Sequence, residues 1–448
     1  MNVLLVEPDY RSKFPPLGLL KISSFHKSRG DNVSFVRGKK DSYRKQIFDR
    51  IYISSLFTYE LPRTLKTIKY YEKAVINPKK DIIVGGVGAT LLPNYILQNS
   101  ECKVIQGSLD KPNLLELGES PISKLIPDYN LLSNCETKYS PDNAYFTRVT
   151  IGCIRKCKFC AVPKLEPDFG YLQNISEQIS EVNKRYGERK DLIVLDNNIL
   201  AIDNIKIILN EIKNLGFYRN SKFHGKKRCV DFNQGIDARL ITKGVAQQLG
   251  ELCLSPVRLA FDHISVKKAY LNALDLLIDN GFKYFTTYVM FNFNDTPESF
   301  YNRLRINLDV SDNKKVRITG FPMKYAPIDS VNRHYISKNW NWRFLRGIQC
   351  ILNATHGMVS PNPVFFNHAF GNNYSEFIET ISMPDDYIIY RQKNESQAFE
   401  WKKHFRKLSE EEKTDLFNHL EFNHKKGEKE KHINKRINKI LEFYYSNP

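Results

Sequence analysis

Thr150-Ile151-Gly152-Cys153-Ile154-Arg155-Lys156-Cys157-Lys158-Phe159-Cys160 is the stretch on which the reading of this chain turns. Three of its eleven residues are cysteines, spaced C-x3-C-x2-C, with an aromatic residue before the last. Thiolates so close in sequence bind metal, and two arrangements use them. Three corners of a structural zinc site are one, but such sites usually draw on a second C-x2-C pair, and none follows here. An iron-sulfur cluster is the other. Ordinary ferredoxin clusters use four cysteines, so three leave one iron without a protein ligand. The remaining cysteines, Cys102, Cys135, Cys229, Cys253 and Cys350, are scattered singly and read as small buried hydrophobes.

The stretches on either side are alternating. Before the cysteines, short β-rich runs (Val3 to Val6, Val33 to Val36, Ile51 to Ser55, Ile82 to Gly85) are separated by helical patterns at Leu17 to Ser28 and Leu61 to Val75. This alternation predicts a doubly wound parallel sheet over residues 1–125, with ligands at the carboxyl ends of its strands. Residues 126–144 read as a linker. A strand from Tyr145 to Ile151 leads into the cysteine loop, and about six β-α units follow over residues 145–335. Residues 336–448 form an aromatic-rich and then basic helical region.

The cysteine loop resembles that of the radical SAM enzymes, and the six β-α units resemble their partial (β/α)6 barrel. The resemblance implies that Cys153, Cys157 and Cys160 hold a [4Fe-4S] cluster whose open iron takes S-adenosyl-L-methionine. It implies reductive cleavage of that cofactor to a 5'-deoxyadenosyl radical, with the electron from an external one-electron reductant. Barrels of this kind carry their chemistry at strand C-termini. There stand Asp196, Asn197 and Asn198, then Asn233, Gln234, Asp237 and Arg239, then Asp262, then Asn292. With Phe159 in the loop, these are the candidate cofactor-binding residues. Simpler roles compete: Asp196 and Asp295 as helix caps, and Arg239 as partner of Asp237. Phe321 to Tyr325 is expected to close over adenine or substrate.

The first domain resembles the cobalamin-binding-type domain that precedes many radical SAM barrels. Gly85-Gly86-Val87-Gly88, Pro15-Pro16-Leu17-Gly18-Leu19 and Pro127-Asp128-Tyr129 carry that likeness. The loop after the first strand, Pro8-Asp9-Tyr10-Arg11, lacks the D-x-H-x-x-G motif that supplies a cobalt-ligating histidine. Cobalamin is therefore not expected.

Lys and Arg number 67 against 49 Asp and Glu, a formal net charge of +18. Such an excess points to an anionic substrate, with RNA or DNA as candidates. Mean hydropathy is −0.44. No apolar run is long enough to cross a bilayer, and the N-terminus lacks the pattern of a signal peptide. Eight cysteines in 448 residues make no disulfide scaffold, so a cytoplasmic protein is expected. Two other functions remain open. A tRNA or protein methylthiotransferase would need three further cysteines near the N-terminus, where only Cys102 and Cys135 stand. A non-catalytic redox sensor would keep the cluster without cleaving the cofactor.

Overall fold

A computed structural model of the chain describes residues 1–118, 121–133 and 135–445. Residues 119, 120, 134 and 446–448, parts of the expected first domain, linker and tail, lie outside the described residues. The chain forms two compact units: Met1–Ser255 with Ala326–Arg333, and Pro256–Tyr325 with His334–Pro448. The six β-α units expected over residues 145–335 contribute to both.

In the first unit, β1 (Asn2–Glu7), β2 (Asn32–Arg37), β3 (Arg50–Ser55), β4 (Ile82–Gly86) and β5 (Lys103–Val104) form a parallel sheet of order β2-β1-β3-β4-β5. Val3, Leu4, Leu5 and Val6 are all fully buried, which is what a strand covered on both faces requires. Their alternation divides two cores. Leu4 and Val6 meet Ile51, Ile53 and Val84 on one face; Val3 and Leu5 meet Tyr52 and Ile83 on the other. The helix Leu17–Ser28 covers the second face and ends where the sequence indicates. The helix expected over Leu61 to Val75 spans Leu61–Tyr71, and Glu72–Ala74 continues as a 3-10 turn.

The strand expected to run from Tyr145 to Ile151 is broken. β6 (Ala144–Thr147) ends before Arg148, and β7 (Thr150–Ile151) turns away to pair antiparallel with β8 (Gly170–Tyr171). β6 lies in a parallel sheet with β9 (Asp191–Val194) and, beyond a small hairpin of β10 (Lys222–Phe223) and β11 (Lys226–Lys227), β12 (Val230–Phe232). The order is β12-β9-β6. The helix Ile175–Tyr186 connects β8 to β9; its amide cap, Asn174, accepts from Glu177 N at 3.0 Å. The segment Ala326–Arg333 belongs to this unit: Val331 packs on the core of the first sheet, and the Arg333 guanidinium lies 5.1 Å from the Tyr59 ring.

In the second unit, β13 (Val257–Ala260), β14 (Tyr284–Phe291) and β15 (Arg317–Lys324) are parallel, in that order. β15 continues through Phe321 to Lys324, so these residues extend a strand and are not the closing loop expected of them. A buried ion pair ties the strand ends. Arg303 Nη2 meets Asp295 at 2.5 Å, and Nη1 donates to the carbonyls of Phe261, Asp262 and Met290. Asp295 is thus not the helix cap; Thr296 is, accepting from Ser299 N. Helices from Trp342–Ala354 to Lys435–Tyr445 complete the unit around Trp401, Phe366, Phe377 and Ile440. Trp340 is buried against Asp295, with Nε1 donating to its carbonyl at 3.1 Å. Among the described residues, no helix is long and apolar enough to cross a membrane.

Removing one member of a fully buried pair leaves the other charge stranded. Arg303→Ala is expected to lower the unfolding free energy by about 3–5 kcal/mol, measured by urea denaturation followed in the far UV.

Candidate active site

The cysteine loop is held by two carboxylates that reach its backbone. Asp196, at the end of β9, is buried and accepts from Val149 N at 3.1 Å, Thr150 N at 2.5 Å and Thr150 Oγ1 at 2.6 Å. Burial raises its carboxyl above the usual range, against these bonds. Glu166 is the second. It accepts from Gly152 N at 2.8 Å and Asn197 Nδ2 at 2.9 Å, and pairs with both terminal nitrogens of Arg148. Gly152 itself has φ +72°, and a Cβ there would collide with the carbonyl of Asp168. The loop therefore leaves β7 in one direction.

Around the thiols stand N–H donors and cations. Cys153 Sγ accepts from Arg155 N at 3.3 Å and from Asn198 Nδ2 at 3.5 Å. Asn198 is buried, and its Oδ1 has no hydrogen-bond partner. Asp237 joins the group: it accepts from Arg155 Nε at 3.0 Å, Asn198 Nδ2 at 3.4 Å, and Arg239 Nε and Nη2 at 2.7 and 3.0 Å. Burial pushes the Asp237 carboxyl up, but bonds from Arg239 and Arg155 outweigh it and hold the carboxyl below the usual range. Arg239 is raised by Asp237 first, with Cys157 and Cys153 close enough to contribute.

This donor set fits a cluster. None of the eight cysteines is in a disulfide, and Cys153, Cys157 and Cys160 are half-buried in one loop. Among the described residues, no three His, Cys, Asp or Glu side chains form a group that could hold a metal ion. A cubane takes one thiolate at each of three irons, so its cysteines surround a volume rather than meet at a point. Donors to sulfur and nearby cations stabilise such a centre, and the unpartnered Asn198 Oδ1 is free to accept from a ligand's N–H.

The expected residues divide by position. Asn197, Asn198, Asp237 and Arg239 gather at the loop. Asp196 spends its carboxylate on the backbone of residues 149–150. Asn233 is half-buried, with its N–H on Val194, and Gln234 is exposed. Phe159 is half-buried in the loop. Asp262 and Asn292 lie in the second unit. Asp262 offers its carbonyl to Arg303. Asn292 is fully buried at φ +68°, and its amide bonds Tyr325 O, Tyr335 O and Ser337 N. Glu166 and Arg148 were not anticipated. Glu166 is the sole acid between Thr150 and Pro167, amid Arg155, Lys156, Lys158 and Lys164, and that isolation was the available signal.

Within the first unit, a cavity of about 480 Å³ opens at the carboxyl ends of β1, β3 and β4. Glu7, Ser55, Gly85 and Gly86 line one side, Pro15 to Leu19 another, and Phe146, Thr147 and Arg148 a third. Gly86 has φ +103°, and a Cβ there would strike the Ser55 carbonyl. Burial raises the Glu7 carboxyl to about 6, against Tyr139 and Arg37.

Comparison with solved structures places this architecture. The structure of a radical S-adenosylmethionine methyltransferase, TsrM, from Kitasatospora setae with cobalamin and [4Fe-4S] cluster bound is similar, with a TM-score of 0.55 and 13% identity, over 78% of each chain. The fold is similar to that of this enzyme. The selenomethionine-labelled, apo cobalamin-dependent enzyme OxsB gives a TM-score of 0.43 at 13% identity, over 95% of this chain and 71% of its own. No family model and no curated protein sequence matches. The resemblance drawn from the cysteine loop and the first domain thus holds at the level of fold.

The expectation against cobalamin is corrected. The structure sharing this fold has cobalamin bound. A missing histidine motif does not decide the matter alone, since the sheet edge of this chain also opens into a cavity.

A carboxyl whose folded pKa is raised costs stability once ionised. Stability should fall as pH rises from about 4.5 through about 6, by about 2 kcal/mol for Glu7. Glu7→Gln should remove that slope, read from urea midpoints across this range.

Proposed function

We propose that this chain is a cobalamin-binding radical SAM enzyme. The observation that carries the reading is the C-x3-C-x2-C loop, pinned at its root by Asp196 and Glu166, sharing Arg148 with a cavity at the sheet edge. Cys153, Cys157 and Cys160 would hold the cluster. Asn198, Asp237 and Arg239 would meet the sulfonium cofactor's polar groups, with Phe159 beside it. When bound, the cluster supplies the electron, drawn from an external reductant, that breaks the cofactor's C–S bond. The protein's own part is positional. Arg155 N and Asn198 donate to sulfur, Asp237 orients Arg155 and Arg239, and the two carboxylates keep the loop from reorganising.

Methyl transfer is the reaction class suggested by the name of the structural neighbour. The substrate proposed is anionic, supported by the net charge of +18, with RNA or DNA as candidates. A reducing cytoplasm suits eight cysteines without a disulfide among them.

Anaerobic reconstitution with iron and sulfide should give about four irons per chain, and Cys157→Ala markedly fewer. About eight would favour the methylthiotransferase reading, and zinc without iron would sink the proposal. With dithionite and S-adenosylmethionine, cofactor cleavage products should form with the native chain and vanish in Cys157→Ala. A cluster that forms with no cleavage under any substrate condition would favour the redox sensor. Binding of RNA or DNA that weakens as salt rises would support the substrate class.

A further inference from the structure

The cavity carries an unmet demand for an anion. Lys21, on the helix Leu17–Ser28, lines it and donates to the carbonyl of Ser123. Among the described residues, no carboxylate pairs with this ammonium. Ser123 also lines the cavity, and its Oγ is buried without a hydrogen-bond partner. Arg148 lines it as well; its terminal nitrogens are taken by Glu166, but its Nε is buried and unpartnered. Lys21 and Arg148 are close enough for the Arg148 charge to act on the ammonium. Burial first, and then Arg148, lower Lys21 to about 8, so it remains protonated at neutral pH. Among the described residues that line the cavity, Glu7 is the one acid, and Tyr139 and Arg37 already engage it.

Buried donors without partners are costly unless a ligand completes them. Among the described residues, two lie on one cavity, Ser123 Oγ and Arg148 Nε, beside a Lys21 ammonium whose one hydrogen bond goes to a neutral carbonyl. A phosphate oxygen pair answers that set, since it is anionic and accepts several hydrogen bonds at once. The corrin ring with its amide side chains is uncharged at its rim. The fixed anion of a complete cobalamin is the phosphodiester joining the ring to its nucleotide tail.

We infer that Lys21 and Ser123, with Arg148, form a phosphate subsite that selects cobalamin bearing its nucleotide tail over the truncated corrinoid cobinamide. This inference rests on the corrinoid reading of the cavity. The alternative role for Lys21 is a plain tie between its helix and the turn Ile122–Lys124, which would make no distinction between the two corrinoids.

Binding of hydroxocobalamin and aquacobinamide to the full-length chain, by visible absorbance and equilibrium dialysis, separates these. The native chain should bind hydroxocobalamin more tightly. Lys21→Met should weaken hydroxocobalamin by about tenfold, the loss of one charge-assisted hydrogen bond, and leave aquacobinamide within about twofold. Ser123→Ala removes only an unpartnered hydroxyl and keeps the test intact if Lys21→Met does not fold; it should weaken hydroxocobalamin alone, by about threefold. Equal effects on both corrinoids, or no effect on either, would overturn the subsite and leave the corrinoid reading standing. A native chain that binds neither would overturn that reading and the subsite together.

Discussion

One carboxylate decides where the cysteine loop begins. Asp196 reaches from the end of β9 to the backbone of the neighbouring strand and satisfies two N–H groups and a hydroxyl. A buried carboxylate is tolerated only when its lone pairs are filled, and here they are filled by residues 149 and 150. The consequence is local and large. The chain cannot continue β6; it turns, pairs with β8, and enters Gly152 at a left-handed φ that no larger residue could hold. Glu166 repeats the device from the far side of the loop. The thiols are thus presented by a frame that hydrogen bonds set without any cluster. Such preorganisation keeps a site in its working geometry.

The fold was legible where burial acts on a regular period. Leu17–Ser28 ends where its pattern ends. It was less legible where polar residues extend an element. The helix Pro297–Lys314 carries its last turns on polar residues and stops at the left-handed Lys315. β15 passes through Pro322, a residue that usually argues against a strand; at the edge of a sheet its missing N–H costs little.

The candidate site is marked in the sequence by its cysteine spacing, while the hydrogen bonding of its polar shell was legible only in part. A strand-end aspartate reads equally as a ligand contact or as a backbone acceptor, and no pattern separates the two. Asp196 and Asn292 were named for cofactor contact, and their side chains spend their bonding on backbone. Glu166 escaped because its partners, Arg148, Gly152 and Asn197, lie 14 to 31 residues away in the chain. The cobalamin expectation went wrong for a different reason. It weighed a ligand to the metal, while the cavity at the sheet edge is a property of the fold, which a motif search does not sense.

The return of Ala326–Arg333 to the first unit has a further consequence for how the protein is made. Chain order and unit order differ, so neither unit is a contiguous fragment of the polypeptide. During synthesis, domains tend to form from the N-terminus onward. Here the first sheet lacks Val331 and the Arg333–Tyr59 contact until β13, β14 and β15 have all been translated. The first unit is completed only after the strands of the second unit's sheet have been made, and a single cut at residue 256 would deprive the first unit of Ala326–Arg333 and leave that segment on the piece that carries the second.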